Sequence, residues 1–391
     1  MQNAPAAAEA LVEKAREMMP GLRARAEACE RLRRLPDETD RAFRDAGFYR
    51  VFQPARFGGM ELEYGIQTRL ADEIGRGCAS SAWCLSVVAV HSLMLGMFPA
   101  EAQDALWGDD PEATLATSFL PREATVEPDA GGVRVRGRWG FSSGVDHAQG
   151  VLLMLSVPGA GGRVAGFGFL PRRDYRIDDT WYAAGLAGTG SNDVVVEDAF
   201  LPDAHFLPAM ATRGGPTPGS AVNPGPLYRL PLFAVFPYNL VGAALGAAQG
   251  AMDALVAEMS ARSAVARQKL AEQPSVQMRL AEGSAEVDAA RALVMRHLPE
   301  INALARAGEA PEMARRTLWR RDLGFAARLC VSALEHVFPL IGGQGLAAGH
   351  PVQRAWRDVH AVAQHLGLVW DVQAQMYGAV ALGQPCPDPR L

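Results

Sequence analysis

The sequence predicts an α+β multidomain chain. An N-terminal α-helical domain spans 1–110 and a small central β-barrel or sandwich spans 111–210. A Gly/Pro-rich linker over 211–228 leads to a C-terminal four-helix bundle over 229–391. Three observations predict it. Ala, Glu, Arg and Leu, all helix formers, crowd the first segments. Turn residues then punctuate short apolar runs. Four long helical patterns close the chain, as an antiparallel bundle requires.

Residues 6–34 read as one helix. Pro36 opens the next, with Asp37 and Glu38 in its first turn, and Gly47 ends it. Residues 64–76 are helical again. The stretch 80–99 contains no Asp, Glu, Lys or Arg. A membrane span needs about 20 apolar residues. This run carries Ser86, His91 and Ser92 in its middle and stops at Pro99, which predicts a helix buried on all sides within protein. Residues 133–136 alternate Val with Arg, and 151–157 and 194–196 are apolar runs. Turns at 129–132, 158–162 and 188–190 separate these short strands. Residues 208–226 are expected to form a mobile loop. The last helical patterns cover 231–261, 275–308, 311–338 and 351–382. Gly242, Gly246 and Gly250 recur every four residues, leaving one helix face bare for close packing.

Composition narrows the function classes. Of 391 residues, 49% are apolar and 21% charged, enough for a large core and against disorder. The 40 Gly and 26 Pro are too many for a helical bundle alone. With 38 basic and 43 acidic residues the net charge is −5. That excludes nucleic-acid binding by bulk charge and a polybasic membrane anchor. Cysteines 29, 78, 84, 330 and 386 form no Cys-x-x-Cys. A disulfide framework and a zinc site are therefore not expected, and a reducing cytoplasm fits. Residues 1–10 show no secretory signal. No His/Asp/Glu spacing suggests a metal site. The glycines of 185–190 and 343–345 do not sit in a βαβ unit, so direct NAD(P)H binding is not expected.

The order helices, β-domain, bundle resembles the acyl-CoA dehydrogenase architecture, and residues along nearly the whole chain carry the resemblance. Residues 79–83 (Ala-Ser-Ser-Ala-Trp), followed by His91-Ser92, are similar to the family's third-helix region. Ala116-Thr117-Ser118 and Gly140-Phe-Ser142-Ser-Gly144, with His147-Ala148, resemble its flavin-contacting strand ends. Residues 185–193 resemble the loop closing the β-domain. Ile341-Gly-Gly-Gln-Gly345 and Arg354-Ala-Trp-Arg-Asp358 resemble the end of the bundle.

The departures direct the function. Dehydrogenases of this family place a Glu base eight residues after the Arg-Asp pair. Here that position is Leu366, in Leu366-Gly367-Leu368, and leucine accepts no proton. Pro339 stands where a Gln usually meets the adenine half of FAD. His365 adjoins the lost base, and His91 lies on the facing helix. This pattern resembles the two-component flavin-dependent monooxygenases of the fold, the group of p-hydroxyphenylacetate hydroxylase and related phenol and polyketide hydroxylases. The resemblance implies reduced FMN, with FAD possible, delivered by a separate flavin reductase. It implies O2 as co-substrate, a C4a-hydroperoxyflavin and hydroxylation of an aromatic or polycyclic phenol.

It also implies site residues. Ser142 matches the position that bonds flavin N5, Thr117 and Ser118 the neighbouring flavin-contacting strand end, and Trp83 a wall of the isoalloxazine pocket. Arg262 resembles an Arg that reaches a neighbouring subunit's flavin phosphate, with Ser275 nearby and Gly343 in the bundle turn; a homotetramer follows. An imidazole, with an ordinary pKa of about 6.5, suits removal of a phenol proton. His365 is the first choice for that base and His91 the second, as a hydrogen-bond donor. His360, five residues before His365, would point about 140° away on a continuous helix. Structural alternatives stand beside these: core packing for Trp83 and the histidines, strand-end bonds for the hydroxyls, a solvated charge for Arg262. The rival functions are an FAD-containing dehydrogenase or oxidase with its base elsewhere, N- or S-oxygenation, and a non-catalytic member.

Overall fold

A computed structural model describes residues 4–159, 161–261 and 269–391. The N-terminal region folds as α1 (Ala4–Leu32), α2 (Asp37–Asp45), α3 (Ile66–Gly75), α4 (Ala79–Gly96) and α5 (Ala100–Trp107). Helix α2 begins after Pro36 with three acids in its first turn, where the helix dipole favours them. Every residue of α4 is buried. A helix apolar all round has to be enclosed, and α4 packs on α3, on the bundle and on the first β-strand. Among the described residues, three helical stretches, Ala79–Gly96, Leu232–Ala261 and Met313–Leu346, are long and apolar enough to cross a membrane by length and composition. In the first, protein covers the whole stretch.

The β-region comprises β1 (Leu115–Ser118), β2 (Leu120–Asp129), β3 (Gly132–Ser142), β4 (Gly150–Gly159), β5 (Gly162–Pro171), β6 (Arg176–Asp178), β7 (Asn192–Pro202) and β8 (Phe206–Pro208). They form two four-stranded sheets, β1-β4-β5-β8 and β2-β3-β7-β6. The alternating residues of β3 and β7, including Val135, Trp139 and Val194, meet Val151 and Leu153 in a separate apolar core.

The C-terminal region contains α6 (Leu232–Val235), α7 (Pro237–Ala261), α8 (Pro274–Met295), α9 (Leu298–Ala307), α10 (Met313–Val337), α11 (Pro351–Ala363) and α12 (Trp370–Ala381). Three of the four predicted helical patterns are therefore interrupted. Pro237 and Pro299 lack the N–H that would continue the ladder, which divides 231–261 and 275–308. The break in 351–382 has another cause. A continuing helix would give the Gly367 N–H to the carbonyl of residue 363. Instead it donates to Nδ1 of His365 at 3.0 Å, and the side chain outcompetes the helix.

The 208–226 segment, expected to form a mobile loop, is anchored by its own polar groups. Gly219 N donates to Met97 O at 2.9 Å, and Asn223 Nδ2 donates to Gly96 O and Gln103 Oε1. Tyr228, just after it, is fully buried.

The glycine stripe of α7 serves packing. A Cβ on Gly246 would lie 2.1 Å from the Asp72 carbonyl of α3. Gly246→Ala is expected to cost about 1–3 kcal/mol of stability, read from the urea midpoint. An unshifted midpoint would contradict the close approach.

Candidate active site

The three regions meet at a cavity of about 750 Å³. Helix α4 supplies Trp83 and His91, the ends of β1 and β3 supply Thr117 and Ser143, and the break after α11 supplies His365. Phe119, Phe141, Trp181 and Phe236 complete an aromatic lining. No Asp or Glu is among the lining residues, and Leu366 occupies the wall where a dehydrogenase base would be sought. The 208–226 loop does not line it.

The two predicted imidazoles come together around one ring. The His91 and His365 centroids each lie 6.5 Å from that of Phe236, at interplanar angles of 21° and 24°. Trp83 meets His365 edge-on at 5.5 Å. Their partners assign opposite tautomers. His91 Nδ1 lies 3.0 Å from the Leu115 carbonyl, which only accepts, so Nδ1 carries the proton. Nε2 of His91 is left as an acceptor. His365 Nδ1 accepts from Gly367 N–H, so its proton is on Nε2, a donor. Burial lowers both to about 4, with Arg320 adding to the effect at His365. Both rings are neutral at pH 7.

His91 links pH to stability. Its folded pKa of about 4 lies below the ordinary value near 6.5. Between the two, the unfolded chain binds a proton that the folded chain does not, so stability rises with pH. The contribution, about 3 kcal/mol at most, is complete above pH ~6.5 and is lost as pH falls to ~4. His91→Phe should flatten the acid limb of a denaturation series; an unchanged slope would contradict the assignment.

Hydroxyl placement differs from expectation at one residue. Phe141 adopts a left-handed φ of 62°, and the β3–β7 register shifts between Trp139 and Ser142. This rephases the strand end. Ser143 faces the cavity, whereas Ser142 Oγ is buried behind the wall without a partner. Residues 140–144 also spell Gly-x-Ser-x-Gly, but they leave an antiparallel strand for a single 3₁₀ turn and Ser142 has no His partner, so no hydrolase elbow exists.

Ser143, Ser191 and Thr189 form a ladder that sequence reasoning missed. Trp83 Nε1 donates to Ser143 Oγ at 3.0 Å; Ser143 and Ser191 hydroxyls are 2.7 Å apart, and those of Ser191 and Thr189 are 2.6 Å apart. Thr189 donates onward to Leu186 O at 2.8 Å. All of its hydrogens are thereby spent. Thr117 Oγ1, by contrast, is buried at the cavity with no partner. An orphaned hydroxyl, acceptor hydroxyls and aromatic walls fit a planar heteroaromatic ring with N–H and carbonyl groups, as flavin has.

The remaining predicted residues are placed otherwise. Ser118 Oγ is committed to the Gly140 carbonyl. Ser275 and Gly343 are exposed and do not line the cavity, and Arg262 lies outside the described residues. His360 does line it together with His365. The 140° argument fails because α11 ends at Ala363, before His365. No cluster of three His, Cys, Asp or Glu able to hold a metal occurs among the described residues.

The cavity's outer loop is pinned to α11. Leu186 N donates to Asp358 Oδ1 at 2.6 Å and Arg357 Nη1 to Ala184 O at 2.7 Å. Burial raises the Asp358 carboxyl to about 7. A Cβ on Gly185 would sit 2.1 Å from Arg357 O, so only glycine lets the loop lie this close.

Comparison with known proteins agrees with this geometry. The acyl-CoA dehydrogenase N-terminal domain model matches residues 5–108 and the C-terminal domain model residues 238–370. The chain is 36% identical over 374 residues to the flavin-dependent monooxygenase oxygenase subunit HsaA of Rhodococcus jostii (strain RHA1), covering 95% of this chain and 98% of that one. It is 35% identical to the oxygenase component of an FADH2-dependent resorcinol hydroxylase of Rhizobium sp. (strain MTP-10005), covering 92% and 91%. The solved structure of a 3-HSA hydroxylase from Rhodococcus sp. RHA1 superposes with a TM-score of 0.92 at 34% identity, covering 97% of this chain and 98% of that one. A dehydrogenase fold whose base position is leucine, with this extent of likeness, leaves one conclusion: the chain belongs to the acyl-CoA dehydrogenase family, among its flavin-dependent monooxygenase oxygenase components.

Proposed function

We propose that this chain is the oxygenase component of a two-component monooxygenase that hydroxylates a phenolic aromatic substrate, with reduced flavin supplied by a separate reductase. One observation carries the reading: two neutral imidazoles of opposite tautomer face a cavity whose lining has no carboxylate. A flavin dehydrogenase needs a base for a carbon acid; a phenol hydroxylase needs groups that manage a phenol O–H.

Reduced flavin, when bound, supplies the electrons that activate O2, with one oxygen atom passing to the ring and the other leaving as water. Thr117, Ser143 and Trp83 would hold the flavin ring. His91 Nε2 accepts the phenol O–H hydrogen bond. As the ring gives up electrons to the incoming oxygen atom, the phenol oxygen loses electron density, its O–H grows more acidic, and the proton passes to His91 Nε2. His365 Nε2–H donates to the same oxygen as it takes on carbonyl character. The His91 and His365 roles are thus exchanged relative to the sequence expectation.

The assembly proposed is a homotetramer. Ser275 and Gly343 stand on exposed surface, where a second copy would meet them, and the family resemblance supports that arrangement. Sedimentation should give a tetramer; a monomer with undiminished flavin affinity would contradict it.

The test of function supplies FMNH2 or FADH2 through an unrelated reductase to a panel of phenols, naphthols and quinols. A product 16 mass units heavier is expected. Oxidation of an acyl-CoA without O2 consumption would overturn the reading.

A further inference from the structure

A second cavity, of about 550 Å³, joins the first at Phe119, Phe236, His365 and Leu366. Its walls are largely apolar, with Leu232, Phe233 and Met376. Two guanidinium groups interrupt them, Arg320 and Arg390.

Arg320 is 6% exposed. Its Nε donates to Gln373 Oε1 at 2.9 Å and its Nη1 to the Phe233 carbonyl. Both acceptors are neutral. Among the described residues no carboxylate lies within 4.0 Å of it. A guanidinium has five N–H donors, so several are left for the cavity. Asp388, the acid on this wall, is bound to Arg390 at 2.9 Å. The three charges leave an excess of one positive. Asp388 acts on Arg320 only at a distance and is already paired with Arg390, and a buried charge without a direct partner is costly. Burial lowers the Arg320 pKa to about 10, which marks the same penalty. The structure therefore holds a buried cation whose open side faces an apolar cavity beside His365. Arg390 extends the positive surface, its guanidinium carbon 4.8 Å from the Phe233 ring centroid.

We propose that the second cavity binds a carboxylate carried by the phenolic substrate, with Arg320 as its counter-charge and Arg390 beside it. The apolar walls take the intervening chain or ring, and the phenol end meets His91 and His365. A planar guanidinium presents paired donors that match the two carboxylate oxygens. The substrate class is thus a phenol bearing an anionic arm. This inference rests on the monooxygenase reading of the adjoining cavity.

Calorimetry compares 3-(4-hydroxyphenyl)propanoate with its uncharged amide, without turnover. A charge-assisted hydrogen bond is worth about 1.5–3 kcal/mol, so the acid should bind at least about tenfold tighter. Arg320→Gln should abolish that preference. Arg390→Gln, at the half-buried second guanidinium, should reduce it. Equal affinities, no binding of the acid, or a preference retained in both variants would overturn the proposal. A preference for the acid with no oxygenated product under reduced flavin would leave the anion site standing and sink the monooxygenase reading. Hydroxylation of neutral phenols with no preference for acids would do the reverse.

Discussion

His91→Leu is expected to lower hydroxylation at pH 7 by about 100-fold or more, the usual scale for losing a positioned proton acceptor. The argument rests on the Leu115 carbonyl, which fixes the Nδ1 proton and leaves Nε2 as the acceptor. A base with a pKa near 4 does not ionise a phenol in advance; it takes the proton as ring attack proceeds. The loss should therefore shrink as pH rises toward the phenol's own ionisation near 10, where no acceptor is needed. A merely structural role for His91 would show no such rescue. A pH-independent defect would remove His91 from proton transfer.

His365→Leu should cost a similar amount, about 100- to 1,000-fold, by removing the donor that holds the phenol oxygen as it takes on carbonyl character. Here high pH should not rescue, because ionising the phenol increases the need for a donor. Oxygen consumption should continue, with hydrogen peroxide replacing product. The variant also frees the Gly367 N–H, so a spectroscopic check that α11 and α12 keep their break belongs with it. Rescue of His365→Leu at high pH, matching His91→Leu, would show that His365 is the acceptor after all.

Much of this site was legible in the residues. The charge-free stretch 80–99 announces a helix that has to be enclosed, and α4 is enclosed with Trp83 and His91 on the cavity wall. Leu366 announces that the dehydrogenase base is missing. What stayed hidden depends on contacts distant in sequence or on a single backbone angle. The tautomers follow from Leu115 O and Gly367 N, and no residue pattern encodes which ring nitrogen each will meet. The choice of Ser143 over Ser142 follows from the positive φ of Phe141, an unusual angle for a bulky residue. The ladder through Ser191 and Thr189 needs β7 to return beside β3. His365 joins His360 at the cavity because its own side chain ends the helix after Ala363, which periodicity cannot foresee. The prolines at 237 and 299 were visible, and their missing N–H groups would have predicted two of the three breaks.

Isotope tracing tests the central claim most directly. The protein is mixed with reduced flavin, a phenolic acid and 18O2 in unlabelled water, and the product is weighed by mass spectrometry. The account predicts one labelled oxygen atom in the ring hydroxyl, with none from water. A product labelled only from water, or full conversion of O2 to hydrogen peroxide across the substrate panel, would contradict it.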